Sequence, residues 1–361
     1  MPLWSSHHPL RRDPPGAPSA PSERCHSVRI VTALLSGSFV RLFERTSLVI
    51  GAVAASLLIA EGCLRLVGYS YTPLRIEVIR NNEWRPYHAF QDKHFVYDSA
   101  LIWRPKIGFS IFNSQGYRGR ELAPTKGARE LRIFTFGDSN TLGWSGPAGP
   151  NWPEYLQRLF DQTGASVTVV NAGVYGYSAF QGLERFKEAL PLKPDIALIS
   201  FGGNDAHLVA ASDSEFANRL GAWTRVEYAV ARAKVGQLVL AVLDRFGGKR
   251  DERVVPRVSL EDYRRYLEQI ANLGEAHKIR IVLLTRPFTG ESPHPLWWKH
   301  LAPAYNAATI DVGKRNGLPV IDVYSYFMHA PEYFSDESHF TEAGHRRMAE
   351  LMYERLRPLL R

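Results

Sequence analysis

The chain has 361 residues, of which 45% are hydrophobic and 12% aromatic. A chain of this length and composition buries a large core, which excludes an intrinsically disordered or fibrous protein. The net charge of +8 is spread thinly and no run of five Lys or Arg residues occurs, so nucleic acid is not an expected partner. The two cysteines are Cys25 and Cys63, which excludes a disulfide framework or a Cys-ligated zinc site in the rest of the chain.

The first 67 residues divide by composition into two segments. Residues 1–45 are basic, and we expect them to be mostly disordered. Residues 46–67 are apolar apart from two charged residues near their end, and they are long enough for a transmembrane helix. Arg41 and Arg45 precede this helix, which favours an uncleaved single-pass anchor in the cytoplasmic membrane, with the N-terminus inside and the body on the outer, periplasmic or extracellular side. A cleaved signal peptide and a buried core helix are the alternatives.

From residue 131 onward, apolar runs typical of buried strands alternate with helical segments. The predicted strands are 131–136, 166–170, 195–201, 279–285 and 318–324. This alternation predicts an α/β fold, with an open parallel sheet covered by helices on both faces. We expect residues 68–130 to form an irregular, β-leaning lead-in. Residues 131–361 form the main domain in this interpretation, with a helical insertion at about 206–258.

Polar residues follow three successive predicted strands, where the carboxyl ends of a parallel sheet bind ligands. The first strand ends in Gly-Asp-Ser-Asn, with Ser139 as a possible nucleophile. The second is followed by a loop that contains Gly173 and Gly176, and the third by a turn that contains Asn204. Backbone N–H groups and an Asn amide can stabilise an oxyanion. Each of these segments, taken alone, is also explained by ordinary turn formation, and the Gly and Ser of the first are common in such turns for backbone reasons.

Asp336 and His339 lie three residues apart before the last predicted helix. At this spacing a carboxylate can bind one imidazole nitrogen while the other faces a substrate. His345 follows six residues later, which is not the helical spacing of metal ligands. We therefore expect no metal site here.

The order of these segments resembles the SGNH/GDSL hydrolase superfamily, which is named for its Ser, Gly, Asn and His blocks. The resemblance covers residues 131–361, interrupted by the insertion. The first block ends in Asn140 where the name-giving version of the family has Leu. The resemblance implies a flavodoxin-like three-layer α/β/α sandwich with a central parallel sheet, preceded here by the N-terminal transmembrane helix.

The resemblance also assigns roles to individual residues. Ser139 is the expected nucleophile, His339 the general base and then acid, and Asp336 the residue that orients His339. The expected oxyanion hole consists of the Ser139 N–H, the Gly176 N–H and the Asn204 side chain, with Gly173 as an alternative to Gly176. Asp138 and Asp205 are expected to hold loops in place.

The function expected from this resemblance is that of a membrane-anchored serine esterase or deacylase. Its expected substrate is an O-acyl carbohydrate or lipid ester, cleaved through an acyl-enzyme with no metal or organic cofactor. An O-acyltransferase that moves the acyl group to a polysaccharide hydroxyl is the first alternative. A non-catalytic, membrane-tethered binding protein on the same fold is the second alternative. Substrate specificity is expected to involve Trp144, which follows the nucleophile closely.

Overall fold

A computed structural model describes most of the chain. The described residues are 24–71, 77–80, 83–86, 94–98, 100–143, 149, 151–219, 226–227, 229–246, 254–289 and 301–360. Trp144 lies outside these ranges. The chain divides into two compact units, Met1–Tyr69 and Ser70–Arg361.

The secondary structure elements are numbered in chain order. The strands are β1 (Glu77–Arg80), β2 (Glu83–Pro86), β3 (Phe95–Asp98), β4 (Ile102–Pro105), β5 (Leu131–Gly137), β6 (Val167–Asn171), β7 (Ile196–Ser200), β8 (Leu208–Val209), β9 (Val255–Pro256), β10 (Arg280–Leu284) and β11 (Val320–Ile321). The helices are α1 (Arg24–Leu66), α2 (Ser139–Leu142), α3 (Trp152–Asp161), α4 (Ala179–Ala189), α5 (Asp213–Arg219), α6 (Lys234–Phe246), α7 (Leu260–Ala276), α8 (Ala302–Arg315), α9 (Val323–Phe327) and α10 (Glu342–Leu356).

The main sheet has five parallel strands in the order β11-β10-β7-β5-β6. In this sheet the first strand of the chain lies between the second and the third, which is the flavodoxin-like order. The predicted α/β fold with a central parallel sheet is therefore confirmed. Parallel sheets need cover on both faces, and β5 and β7 are accordingly buried along nearly their whole length.

Two hydrophobic cores lie on the two faces of this sheet. Successive strand residues point to opposite faces, so Ile133 belongs to one core and Phe134 to the other. Helices α3 and α10 pack on the Ile133 face, whereas α4, α7 and α8 pack on the Phe134 face. The sheet is thus held between two helical layers, which keeps its carboxyl-terminal edge in a fixed position.

Short antiparallel elements surround the main sheet. Strands β3 and β4 form a hairpin, and a second sheet has the order β2-β1-β8-β9. Strands β8 and β9 lie near the two ends of the predicted insertion, and they pair with each other. Strand β1, from the predicted lead-in, pairs with β8. The domain boundaries at 68–130 and 206–258 remain predictions.

Helix α1 contains the predicted anchor but begins earlier than expected. It starts at Arg24, three residues after the last proline of the N-terminal segment, so part of the segment expected to be disordered is helical. Within α1, residues Phe43–Leu66 have a mean hydropathy of 2.0, and none of the residues in their most apolar stretch is buried. A helix of this length and composition could span a membrane, or could serve as a signal sequence.

Candidate active site

The site begins where β5 ends and α2 starts, at Gly137, Asp138 and Ser139. A Cβ atom on Gly137 would lie 2.2 Å from the Thr141 hydroxyl and 2.8 Å from the Ser200 carbonyl, so only glycine fits there. Asp138 caps α2, because its side chain accepts a hydrogen bond from the Asn140 N–H at 2.9 Å. Ser139 is therefore the first residue of a short helix at the edge of the sheet.

Ser139, His339 and Asp336 form a continuous hydrogen-bonded chain. The Ser139 Oγ lies 2.8 Å from His339 Nε2, and His339 Nδ1 lies 2.7 Å from Asp336 Oδ2. The His339 and Asp336 side chains are 27% and 46% exposed, so a substrate can reach this arrangement from solvent. The structure thus brings together the three residues that the sequence proposed as a triad.

Asp336 also organises the backbone around it. Its Oδ1 accepts hydrogen bonds of 2.8 Å from the N–H groups of Ser338 and His339. Partial burial raises the pKa of this carboxyl, but the hydrogen bond and charge of His339, with the two backbone N–H groups, outweigh it. The pKa of Asp336 therefore lies well below its ordinary value. Asp336 stays ionised at neutral pH, and as an acceptor it favours the His339 tautomer that carries its proton on Nδ1.

The segments that follow β5 and β6 also carry free backbone N–H groups. Within the described part of the chain, the N–H groups of Ser139 and Gly176 have no hydrogen-bond partner. The Gly173 N–H, in contrast, donates to the Asn171 side chain at 3.0 Å. This contact favours Gly176 over Gly173 as an oxyanion donor. Gly176 also has a φ of +73°, in the left-handed region that favours glycine.

Asn204 lies beside these groups at the end of β7. Its Nδ2 donates to the Tyr177 carbonyl at 3.1 Å and makes a longer contact of 3.3 Å with Asp138 Oδ2. Asp205, the next residue, accepts from the N–H groups of Ala179 and Gly202. Burial raises the pKa of Asp205 to about 7, although these N–H groups and Arg257 act in the opposite direction. Asp205 thus holds two loops together, as the resemblance implied.

Arg286 is a buried site residue that the sequence analysis missed. Its Nε binds Asp138 Oδ2 at 2.8 Å, and its Nη1 donates to the Ser338 carbonyl at 3.0 Å. The guanidinium therefore joins the residue before Ser139 to the residue before His339. Both charged side chains are nearly fully buried, so the loss of either would leave an unpaired charge in the interior. The signal in the sequence was an arginine placed directly after a buried strand.

Asn140 makes a second link to the histidine loop. Its Nδ2 donates to the Ser338 carbonyl at 2.6 Å. The residue that departs from the name-giving motif thus contributes a contact that leucine cannot make. Asp138, through its bonds to Arg286 and to the Asn140 N–H, holds this turn in place.

Within the described residues, no group of three or more His, Cys, Asp or Glu side chains is arranged to hold a metal ion. His345 is buried against Phe340 near the triad. Burial, together with the nearby charges of Arg118 and His339, lowers the pKa of His345 to about 4. His345 is therefore neutral at pH 7.

A strand-end serine hydrogen-bonded to a His–Asp pair is the arrangement of a serine hydrolase. The family model of the GDSL-like Lipase/Acylhydrolase family matches residues 135–347, more than half of the chain, and the chain belongs to this family. This assignment supports an ester-hydrolysing enzyme. It also confirms the family that the sequence motifs indicated.

Individual relatives are more distant. An arylesterase of Vibrio mimicus is 33% identical over 75 residues, which are 20% of this chain and 38% of the arylesterase. An uncharacterized lipoprotein, YqeF, of Bacillus subtilis is 24% identical over 218 residues, covering 55% of this chain and 72% of that protein. The crystal structure of a lipase/acylhydrolase from Enterococcus faecalis is similar at 23% identity and a TM-score of 0.46, covering 64% of this chain and 97% of that one.

Proposed function

We propose that this protein is a membrane-anchored serine esterase or deacylase that hydrolyses an O-acyl carbohydrate or lipid through an acyl-enzyme. The observation that carries the proposal is the hydrogen-bonded chain from Ser139 through His339 to Asp336, at 2.8 Å and 2.7 Å. Membership of an acylhydrolase family supports the same chemistry.

In the first half of the proposed reaction, the Ser139 Oγ attacks the ester carbonyl while His339 Nε2 takes the hydroxyl proton. Asp336 holds Nδ1 and stabilises the imidazolium that forms. The carbonyl oxygen becomes an oxyanion, which accepts hydrogen bonds from the N–H groups of Ser139 and Gly176 and from Asn204 Nδ2. When the intermediate collapses, His339 donates its proton to the leaving alcohol and the acyl group stays on Ser139.

In the second half, His339 removes a proton from water, and the hydroxide attacks the acyl carbonyl. Collapse of the second intermediate releases the carboxylic acid and returns the proton to Ser139. Asn204 Nδ2 turns from its long contact with Asp138 towards the oxyanion in both halves. Each oxyanion donor of this kind contributes about 2.7–4 kcal/mol to the stabilisation of the transition state.

The direct test uses the full-length protein in detergent micelles. We expect hydrolysis of 4-nitrophenyl acetate and covalent labelling of Ser139 by a fluorophosphonate. Ser139→Ala should lower kcat by at least about 10⁴-fold, since the nucleophile is lost. Ser325→Ala, on the surface of α9, serves as the matched control and should keep full activity. Full activity in Ser139→Ala would disprove the proposal.

The same assay separates hydrolysis from acyl transfer. With an acetyl ester and an acceptor polysaccharide present, an esterase releases free acetate in an amount equal to the alcohol. A transferase instead leaves a share of the acetyl groups on the polysaccharide. Stoichiometric acetate release therefore supports the proposal, and acetylated polysaccharide supports the transferase alternative.

The location proposed for the catalytic domain is the outer side of the cytoplasmic membrane. The apolar span Phe43–Leu66 and the preceding Arg41 and Arg45 support this topology, and the relative described as a lipoprotein supports a membrane setting. Alkaline phosphatase fused after Arg361 should be active in intact bacterial cells, because this reporter folds only outside the cytoplasm. An inactive fusion that is present at normal abundance would contradict the proposed orientation and indicate that the catalytic domain lies on the cytoplasmic side.

A further inference from the structure

The loop between β6 and α4, residues 172–178, is held by an unusual set of contacts and is called here the oxyanion loop. Three successive carbonyls of this loop accept hydrogen bonds from three different segments of the chain. Tyr175 O accepts from the Trp103 indole at 3.0 Å, Gly176 O from Arg257 Nη1 at 2.8 Å, and Tyr177 O from Asn204 Nδ2 at 3.1 Å. The orientation of each peptide group in this stretch is therefore fixed from outside the loop.

These contacts determine where the Gly176 N–H points. The Tyr175 carbonyl and the Gly176 N–H belong to one planar trans peptide, in which they point in opposite directions. The Trp103 bond therefore sets the direction of the Gly176 N–H. The Arg257 bond fixes the following peptide, so the backbone on both sides of Gly176 is held at its φ of +73°.

The two donors are themselves held by further contacts. Trp103 and Arg257 are both fully buried. Arg257 binds both carboxylate oxygens of Asp213, at 2.9 Å and 2.7 Å, and its guanidinium lies 5.6 Å from the Trp103 ring. Tyr177 closes the arrangement, because its hydroxyl donates to the Trp103 carbonyl at 2.6 Å.

The backbone before Trp103 is strained. Ile102 has a φ of +67° although it is β-branched and fully buried. Such a conformation costs on the order of 1–3 kcal/mol and persists only where the surrounding structure imposes it. Here it accompanies the placement of the Trp103 indole against the oxyanion loop.

We propose that Trp103 and Arg257 are positioning residues that orient the Gly176 N–H towards the reacting carbonyl oxygen. This inference rests on the proposed function. It gives a role to two segments outside the catalytic strand ends, since Trp103 comes from β4 and Arg257 directly follows β9. A donor that is fixed in advance stabilises the transition state more than the ground state, so its misplacement lowers kcat rather than raising KM.

The test is Trp103→Phe, which removes the indole N–H and keeps an aromatic ring in the core. The activity of the full-length protein is divided by the concentration of active sites, which is titrated by complete fluorophosphonate labelling. Unfolded protein is not labelled and therefore does not affect the value. We expect kcat per site to fall about 10- to 100-fold with KM nearly unchanged. The inhibition constant of a boronic acid, which forms a tetrahedral adduct with the serine, should rise by the same factor.

The matched control is Trp152→Phe, which makes the same change at a tryptophan equally buried in the other core. It should affect stability without changing kcat per site. Arg257→Lys is a second variant that keeps the charge beside Asp213 but lacks the fork that also reaches Gly176, and it should reproduce the Trp103→Phe pattern.

Two results overturn the inference. The first is a kcat per site within twofold of wild type in both Trp103→Phe and Arg257→Lys. The second is an equal loss in Trp152→Phe, which would show that core damage alone explains the effect. If the proposed function itself were wrong, Ser139 would not be labelled even in the wild-type protein. This outcome is distinct from the two results that overturn the inference.

Discussion

The histidine side of the site and its oxyanion side are assembled from very different lengths of chain. Asp336 and His339 lie in one turn, and Asp336 binds the imidazole and two backbone N–H groups of that turn. The proposed oxyanion side uses Gly176 and Asn204, which follow two different strands, and the carbonyls of its loop accept hydrogen bonds from Trp103 and Arg257 in distant segments.

This difference separates what a short motif can encode from what only the folded chain provides. A carboxylate three residues before a histidine can form its contact within a single turn, and here the Asp336–His339 bond lies within one. Every residue except proline has a backbone N–H, so the residue type does not show where that N–H points. Its direction depends on contacts with residues that lie outside any local motif. Substitutions on the histidine side should therefore have large, direct effects on turnover, whereas the oxyanion side should respond to changes in remote residues.

Among the substitutions that test this comparison, the largest effect is expected for Asp336→Asn. Its amide can donate to His339 Nδ1, which would favour the tautomer that carries the proton on Nε2 and cannot accept one from Ser139. We expect kcat for 4-nitrophenyl acetate to fall about 10²- to 10⁴-fold. Asp311→Asn, on the surface of α8, is the matched control. A loss smaller than tenfold would mean that the histidine side does not depend on its local carboxylate.

A smaller effect is expected for Asn140→Leu, which restores the residue of the name-giving motif. The Ser338 carbonyl loses its 2.6 Å contact but keeps Arg286, so kcat should fall about fivefold, the equivalent of one net hydrogen bond. Stability should not fall, because Asn140 Oδ1 is buried without a partner in the described structure. The kinetic assay and thermal unfolding are compared with Asn272→Leu on the surface of α7. Equal activity of Asn140→Leu and wild type would show that the contact of Asn140 with the Ser338 carbonyl does not support turnover.

The smallest effect on turnover is expected for His345→Gln, which should alter the pH dependence of stability instead. The pKa of His345 is about 4 in the folded protein and 6.5 ordinarily, so between these values the unfolded chain binds a proton that the folded one does not. Wild-type stability therefore falls as the pH drops from 6.5 towards 4.

The His345→Gln variant has no imidazole at this position and therefore lacks this pH-dependent contribution to stability. Its free energy of unfolding should fall by about 2 kcal/mol less than that of wild type between pH 7 and pH 5. Chemical denaturation at the two pH values measures this difference, with the exposed His277→Gln as the control. An identical pH dependence in His345→Gln and wild type would contradict the burial argument for His345.

The parallel sheet was predictable because its strands are mostly apolar segments that alternate with helical ones, as with β5 and β7. The last strand was predicted too long, as 318–324. It ends at Ile321 because Asp322 caps α9 through the Ser325 N–H, a local signal that overrides the apolar pattern. The proximity of Ser139, His339 and Asp336 was predictable from family motifs.

Arg286, Trp103 and Arg257 were not predictable in this way. Each acts through a carbonyl or a carboxylate far away in sequence, and apart from the position of Arg286 directly after a predicted strand, no sequence pattern marks them. Their contacts follow from the order of the strands in the sheet and from the pairing of β8 with β9, which the sequence alone did not reveal.

The central claim is that Ser139 carries the acyl group during turnover. The most direct measurement mixes the full-length protein with 4-nitrophenyl acetate, quenches it in acid within milliseconds to seconds, and maps acetyl groups on peptides by mass spectrometry. The account predicts one acetyl group on the peptide that contains Ser139, present in wild type and absent in Ser139→Ala. Turnover in wild type without acetyl on Ser139 at any quench time, or acetyl on another residue that persists in Ser139→Ala together with activity, would contradict it.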